Sequence, residues 1–338
     1  MNLVTGATGL LGSHIAEQLV RRGKKVRVLV RRNSDTSFLD GLGVETIDGD
    51  LSDRQALERA CQGVRAIYHS AAKVGDWGQW PEFQKVTIDG TRNLLEAGEH
   101  AGVERFLHIS SISVYGYVDG DGVVLDETAP LGQNLYRWSY YSKAKVMAED
   151  LVWQWHREGR ICATVIRPSW LYGPRDRASI GRLVDAVLSG KAKLIGDGEN
   201  RLSLAYAGNV AEGAILAANK EEARGQAYNC SSDGDITLRG YFDLIARTLD
   251  APPVRKKVPY RVAKGAAFAL EMIGRLARRK SPPMVSRYAV WLMGRHIFFS
   301  TDKIRRLGWS PSVDYQQGIP MTVEWYLSQR DHPLGQGN

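Results

Sequence analysis

A tyrosine and a lysine stand four residues apart in Tyr141-Ser142-Lys143-Ala144-Lys145, so on a helix they share one face. A phenol is a poor acid–base group at neutral pH, because its ordinary pKa is about 10. An ammonium beside it favours the phenolate and brings the proton towards the working range. Register selects the pair, since Tyr140 has Ala144 four residues on and gains no such partner. Ser110-Ser111 follows Arg105-Phe106-Leu107-His108-Ile109, a run that reads as a strand. A hydroxyl at the carboxyl end of a parallel strand can hydrogen-bond a substrate oxygen while Tyr141 exchanges its proton. Serine, tyrosine and lysine in this combination suit a carbonyl–carbinol centre.

Such a centre needs a hydride partner, and the first dozen residues offer its place. Asn2-Leu3-Val4-Thr5 reads as a buried strand, and Gly6-Ala7-Thr8-Gly9-Leu10-Leu11-Gly12 follows without a spacer. From Ser13 the pattern turns helical, with Ile15, Ala16, Leu19 and Val20 on one face. Strand, glycine turn and helix in succession form a dinucleotide-binding crevice. Gly6 makes the tight turn, Gly9 lets backbone approach a pyrophosphate, and Gly12 lets the helix pack close. Unpaired N–H groups at the helix start face the phosphates, and Thr8, Leu10 and Leu11 complete the cofactor contacts. Arg31 and Arg32 follow the second strand, where an NAD-preferring site places a carboxylate for the ribose 2′-OH. Arginine can pair a 2′-phosphate instead, which favours NADP slightly over NAD. Asp35 is the nearby carboxylate that could still reach a hydroxyl.

The elements that must position these groups alternate along the chain. Further strands are read at 25–30, 43–47, 64–69 and 162–166, and helices at 53–61 (with Ser52 as N-cap), 82–100 and 141–156. Strands and helices alternating at this spacing predict a doubly wound parallel sheet, an α/β fold covered on both faces. Beyond Arg167-Pro168 the alternation loosens into helices at 179–189, 207–218, 238–248 and 261–279, punctuated by Pro252-Pro253 and Pro282-Pro283. The expected organisation is a dinucleotide-binding domain over 1–168 and a smaller, mainly helical substrate region over 169–338. That region returns a strand near 226–230 to the sheet.

At 338 residues, 43% hydrophobic and 24% charged, the chain has the composition of a globular protein. The net charge of +8 comes from scattered basic residues with no interleaved aromatics, so nucleic acid is not an expected partner. Cys61, Cys162 and Cys230 stand far apart, which fits a reducing compartment. The chain starts inside its first strand, so no signal peptide is expected, and no apolar run reaches the length of a membrane span. A cytoplasmic protein is expected. His14, His69, His100 and His108 show no metal spacing and no metal is assigned; His69 and His108 are expected to be satisfied structural residues.

Further motifs make the chain resemble a known family. They are Gly49-Asp50-Leu51, His69-Ser70-Ala71-Ala72, Asp89-Gly90-Thr91, Ser110-Ser111-Ile112-Ser113-Val114-Tyr115-Gly116 and Arg167-Pro168-Ser169-Trp170-Leu171-Tyr172-Gly173-Pro174. With the glycine turn and Tyr141–Lys145, these resemble the extended short-chain dehydrogenase/reductase superfamily, in its epimerase/dehydratase and 3β-hydroxysteroid dehydrogenase-like branch. The resemblance implies that Ser111 is the catalytic hydroxyl, with Ser113 as the fallback. It also implies that Tyr141 is the acid–base and that Lys145 tunes it and holds the ribose. Asp50 and Leu51 then flank the adenine, and Ala71, Ala72, Lys73, Pro168 and Ser169 line the cofactor. Homodimerisation through the helices after the fourth and fifth strands is a further implication. Two departures stand out. Thr87 occupies a place where the family commonly has Asn. Trp170 occupies one where nucleotide-sugar members commonly carry an Asn that holds a diphosphate. A large ring there argues for a hydrophobic small-molecule substrate.

The expected activity is hydride transfer between NAD(P) and a secondary alcohol or ketone on a steroid- or lipid-like substrate. The alternative is a nucleotide-sugar epimerase or dehydratase with tightly bound NAD, compatible with Tyr172-Gly173-Pro174 and Arg201. A non-catalytic nucleotide sensor would have no need of Ser111, Tyr141 and Lys145 together. Trp77 and Trp80, in the loop after Ala72, are candidates for a wall of the substrate pocket. The segment 262–280 has an apolar face (Val262, Phe268, Leu270, Ile273, Leu276) and a basic one. The simpler expectation packs that apolar face on the substrate region, the other being a lid or a membrane-surface contact.

Overall fold

Short apolar runs such as Val26–Val30 can be strands only where both faces are covered, and the chain supplies those covers between them. The computed structural model describes residues 1–331 except 76, 119–121, 280 and 284. The first half contains β1 (Asn2–Thr5), α1 (Leu10–Arg21), β2 (Val26–Val30), α2 (Ser37–Asp40), β3 (Glu45–Asp48), α3 (Arg54–Cys61) and β4 (Ala66–His69). It continues through α4 (Trp80–Phe83), α5 (Gly90–His100), β5 (Arg105–Ile109), β6 (Val123–Leu125), α6 (Tyr140–Arg157) and β7 (Ala163–Pro168). Then come β8 (Trp170–Tyr172), α7 (Ile180–Leu188), β9 (Leu194–Ile195), β10 (Leu204–Tyr206), α8 (Ala207–Asn219), β11 (Ala227–Cys230) and α9 (Leu238–Thr248). The chain ends with β12 (Lys257–Val258), α10 (Tyr260–Leu276), α11 (Arg287–Gly294), β13 (Ile297–Phe299), α12 (Asp302–Arg306) and α13 (Tyr315–Asp331).

Seven strands form one parallel sheet in the order β11-β7-β5-β4-β1-β2-β3. The order reverses between β1 and β4, and a crevice opens there beyond the carboxyl ends of the strands. Alternate residues of each strand serve opposite covers. Val4 and Val28 pack with α1 and α8, whereas Leu3 and Leu29 pack with α3, α5 and α6. Helix α8 thus belongs to a face of the sheet although it lies far along the chain. A third cluster, built from α7, α9, α13 and the short strands β9 and β10, forms the core of the C-terminal region.

Several local readings are corrected. Asp53, not Ser52, caps α3: its carboxylate accepts from the Ala56 N–H at 3.0 Å, while the Ser52 hydroxyl is turned back onto Asp50 at 2.6 Å. Between α4 and α5 the helix widens into a π-helical stretch, Gln84–Asp89, which no periodicity reveals. The β-like pieces between the C-terminal helices are short strands, as the sequence suggests: β8–β10, β9–β12 and β6–β13 pair over only two or three residues. Helix α10 is also turned over. It packs through Ala263, Ala267, Glu271 and Gly274, and its large apolar side chains face outward. Lys280, at the end of that segment, lies outside the described residues.

One buried ion pair ties α6 to the sheet. Glu149 is fully buried, and Arg167 at the end of β7 donates to it from Nε at 3.1 Å. Ser110 adds a hydroxyl donor at 2.5 Å. Glu149→Ala leaves the guanidinium buried and unpaired, so urea unfolding should show a loss of about 3–5 kcal/mol. Replacing both partners with apolar residues of like size, Glu149→Leu with Arg167→Met, should recover most of it.

Candidate active site

The glycine turn is shaped by steric necessity. Gly6 has φ +70°, and a Cβ there would lie 2.8 Å from the Ala71 nitrogen. A Cβ on Gly12 would lie 2.2 Å from the Gly6 carbonyl oxygen, so α1 can approach the turn only without side chains. Gly9 N–H donates to that carbonyl at 2.9 Å and stands at the N-cap of α1, where no side chain caps the helix. The amides of Leu10, Leu11 and Gly12 therefore lack intrahelical acceptors and, with the helix dipole, face the crevice mouth beside Thr8. An anionic pyrophosphate fits this cradle.

Beyond β2 and β3 an open depression of about 780 Å³ is lined by Arg31, Arg32, Asp48, Asp50 and Arg59 among others. Asp50 accepts from the Ser52 N–H at 2.7 Å and from its hydroxyl, which hold the carboxyl below its usual range. Leu51 is pinned by Asn93, whose Nδ2 donates to its carbonyl at 2.8 Å. Asp35 is committed to its own neighbours, accepting from Ser37 and pairing with Arg177 at 2.6 Å. Sequence reasoning missed Arg59. Its signal is a basic residue on α3, the helix that follows Gly49-Asp50-Leu51 directly.

Across the crevice the structure brings Ser111 and Tyr141 together. Ser111 caps a short 3₁₀ turn, Ile112–Tyr115, with its Oγ accepting from the Ser113 N–H at 3.1 Å. The Tyr141 phenol lies near the same hydroxyl, which acts to lower its pKa. The Ser113 hydroxyl is buried without a partner among the described residues. Lys145 lies one turn along α6 from Tyr141 and is 3% exposed. Its Nζ donates to the Ile109 carbonyl at 2.7 Å rather than to the phenol. The electrostatics accordingly differ from the sequence expectation. Burial raises the Tyr141 pKa, partly offset by Ser111, and Lys145 does not lower it. Burial instead brings Lys145 down to about 8, with Glu149 acting in the opposite sense. Tyr141, Lys145 and Glu149 are spaced four and four, so the third member of this helix face was visible in the sequence and was missed.

Tyr141 packs against a small apolar cluster of Phe83, Ile88 and Ala144, which Trp80 and Tyr140 also join. Trp77 lies under α10: its Nε1 donates to the Arg279 carbonyl at 2.9 Å, and the Arg275 guanidinium sits 4.7 Å above its ring. Trp170 is half-buried and meets Tyr241 edge-on at 5.8 Å, which joins it to the C-terminal cluster. Ala71 and Ala72 follow β4 beside Gly6. The Lys73 N–H donates to the Thr87 hydroxyl at 3.0 Å, so threonine anchors this loop from the π-helical stretch. Pro168 ends β7, and the Ser169 hydroxyl is spent on the Ser231 carbonyl at 2.6 Å. His69 is satisfied by Thr5 at 2.8 Å and Thr91 at 2.9 Å, and burial lowers its pKa to about 3. His108 departs from expectation, since both ring nitrogens are buried without partners among the described residues.

Comparison with known proteins places this geometry. The model of the NAD dependent epimerase/dehydratase family matches residues 2–231. The chain is 30% identical over 336 residues, covering 99% of this chain and 97% of the relative, to the 4-hydroxy-2-methyl-3-oxo-4-farnesyl-3,4-dihydroquinoline-1-oxide ketoreductase of Stigmatella aurantiaca. It is 31% identical over 344 residues (96% of this chain, 90% of the relative) to a 3 beta-hydroxysteroid dehydrogenase/Delta 5-->4-isomerase of Mycobacterium tuberculosis. Among solved structures it resembles a double mutant of the dTDP-glucose 4,6-dehydratase DesIV of Streptomyces venezuelae with NAD and DAU bound. That likeness has a TM-score of 0.77 and 26% identity, covering 99% of this chain and 100% of that one.

Gly12→Ala should weaken NADPH binding by at least about tenfold, roughly 1.4 kcal/mol, because the added methyl must push α1 off the turn. Fluorescence titration of the cofactor measures it, and unchanged affinity would refute the cradle.

Proposed function

This chain belongs to the NAD dependent epimerase/dehydratase family and is a dehydrogenase or reductase of the extended short-chain type, and we propose that it interconverts a ketone and a secondary alcohol on an apolar, steroid- or lipid-like substrate. The observation that carries this reading is the convergence of Ser111, just past β5, with Tyr141 and the buried Lys145 on α6, whose Nζ is held by the Ile109 carbonyl at the end of β5. Ser111 holds the substrate oxygen. Tyr141 gives its proton to that oxygen in reduction and takes it back in oxidation, and its raised pKa keeps the proton in place until it is needed. Lys145 supplies a buried positive charge one turn away, donates to the Ile109 carbonyl and would hold the ribose of a bound cofactor. Hydride would be supplied or accepted by a nicotinamide cofactor held at the glycine turn.

The substrate class is supported by the aromatic surroundings of Tyr141 and by Trp77, under α10. Relatives named for a farnesylated quinoline oxide and for a steroid agree with it. Arg31, Arg32 and Arg59 around the adenosine end, with Asp35 held by Arg177, support NADP over NAD. The three free cysteines agree with a cytoplasmic location. A second reading, a nucleotide-sugar epimerase or dehydratase with resident NAD, is favoured by the likeness to DesIV, and Trp170 opposes it.

Denaturing the purified protein and identifying any released nucleotide by mass separates the two. An empty site that accepts NADPH and consumes it with hydrophobic ketones is expected, and stoichiometric NAD would overturn the reading. Tyr141→Phe should leave the NADPH dissociation constant within about twofold and lower turnover by roughly a hundredfold or more. The charged form of Lys145 is present below its lowered pKa of about 8 and is lost as pH rises through it. The kcat/KM for ketone reduction, which reports free-enzyme groups, should therefore hold at neutral pH and decline above about 8.

A further inference from the structure

Of the eleven large apolar side chains exposed among the described residues, five lie on α10. Val262 is 58% exposed, Ile273 55% and Leu276 78%, with Phe268 and Leu270 beside them. At 100° per residue, Val262, Gly265, Ala266, Ala269, Ile273 and Leu276 fall on one side of the helix, and all are exposed. The outward stripe therefore carries no polar side chain along the whole helix, while small residues and a carboxylate face inward. That carboxylate, Glu271, is the only acid on α10, and it is bound by Arg287 at 2.7 Å. The other charges along and just after the helix are basic. Arg261 and Lys264 stand at its start, Arg278 and Arg279 just past its end, and Arg255, Lys256 and Lys257 precede it, nearly all of them exposed.

An apolar stripe with basic residues at both ends of the helix suits a surface that is apolar below and anionic above. A second copy of this chain would not fit, because parallel or antiparallel pairing sets basic ends against basic ends. No helix among the described residues is long and apolar enough to cross a membrane, so the contact would lie along the surface. We propose that α10 docks this protein on an anionic lipid bilayer, its outward stripe resting in the headgroup–acyl boundary and its arginines and lysines on the lipid phosphates. The inner side of the same helix covers Trp77, and Arg275 lies 4.9 Å from the Trp138 ring and 5.8 Å from that of Tyr140, next to Tyr141. Docking would thus bring lipid close to the site, and the docking itself does not rest on the catalytic reading.

The test is flotation of the full chain with phosphatidylcholine vesicles, with and without phosphatidylglycerol. The wild type should float with the anionic vesicles and be released by salt. Val262→Ser, Ile273→Ser and Leu276→Ser combined should lower the bound-to-free ratio at least about tenfold while NADPH binding is unchanged, which shows the variant folded. A wild type that stays below the anionic vesicles, or a variant that floats equally well, would overturn the proposal. So would equal binding to neutral vesicles, or a sedimentation-detected dimer that the triple variant dissolves.

Discussion

The structure hangs on a carboxylate that no solvent reaches. Glu149 lies on the α6 face that also carries Tyr141 and Lys145, and it accepts hydrogen bonds from Ser110, Trp153 and Arg167. Arg167 continues the chain of contacts to the Tyr115 hydroxyl at 2.8 Å, and Tyr115 donates to Asn229 on β11 at 2.7 Å. Four elements of different sequence origin are thereby locked in register around one buried charge. Such a pair need not add stability over an apolar packing, but it fixes geometry, because every alternative arrangement strands a charge in a poor dielectric. Ser110 and Ser111 divide the labour on this scaffold, one hydroxyl serving the carboxylate and the next capping the 3₁₀ turn that starts at Ile112.

Opposite this rigid polar spine, the crevice is made by leaving atoms out. Three glycines let α1, the turn and the end of β4 approach more closely than any side chain would permit. The close approach aims the positive end of α1 at the mouth of the switch point. Arg175 reinforces this placement from the C-terminal region, donating to the Ser13 hydroxyl at 2.8 Å and pairing with Glu17 at 2.7 Å on α1. The glycine turn and the surroundings of Tyr141 are therefore held by two independent devices, one steric and one electrostatic. They meet where β4 and β5 end.

The C-terminal region joins the sheet at many points. It contributes β11 to the edge of the sheet and α8 to one of its faces, and β13 pairs with β6. Asp233, just after β11, accepts from Asn209 and from the Tyr172 hydroxyl, and burial lifts its pKa to about 6. These contacts seat the region that carries Trp170 and α10 against the site.

Much of this was legible in the residues. The alternation of apolar runs and amphipathic helices determines a doubly wound sheet, since strands buried on both faces have no other stable cover. The glycine turn and the Tyr141–Lys145 spacing are local, and local rules of turn and helix suffice to place them. Tertiary structure alone decided the rest. Whether Lys145 faces the phenol or the Ile109 carbonyl depends on packing between α6 and β5, which no spacing encodes. The partners of Glu149 come from as far along the chain as Arg167, and Asp35 is claimed by Arg177 from a distant loop. The apolar residues of α10 looked like a core face by periodicity. Periodicity reports that a helix has two sides, and only the packing of Ala263, Ala267 and Gly274 decided which of them meets the protein.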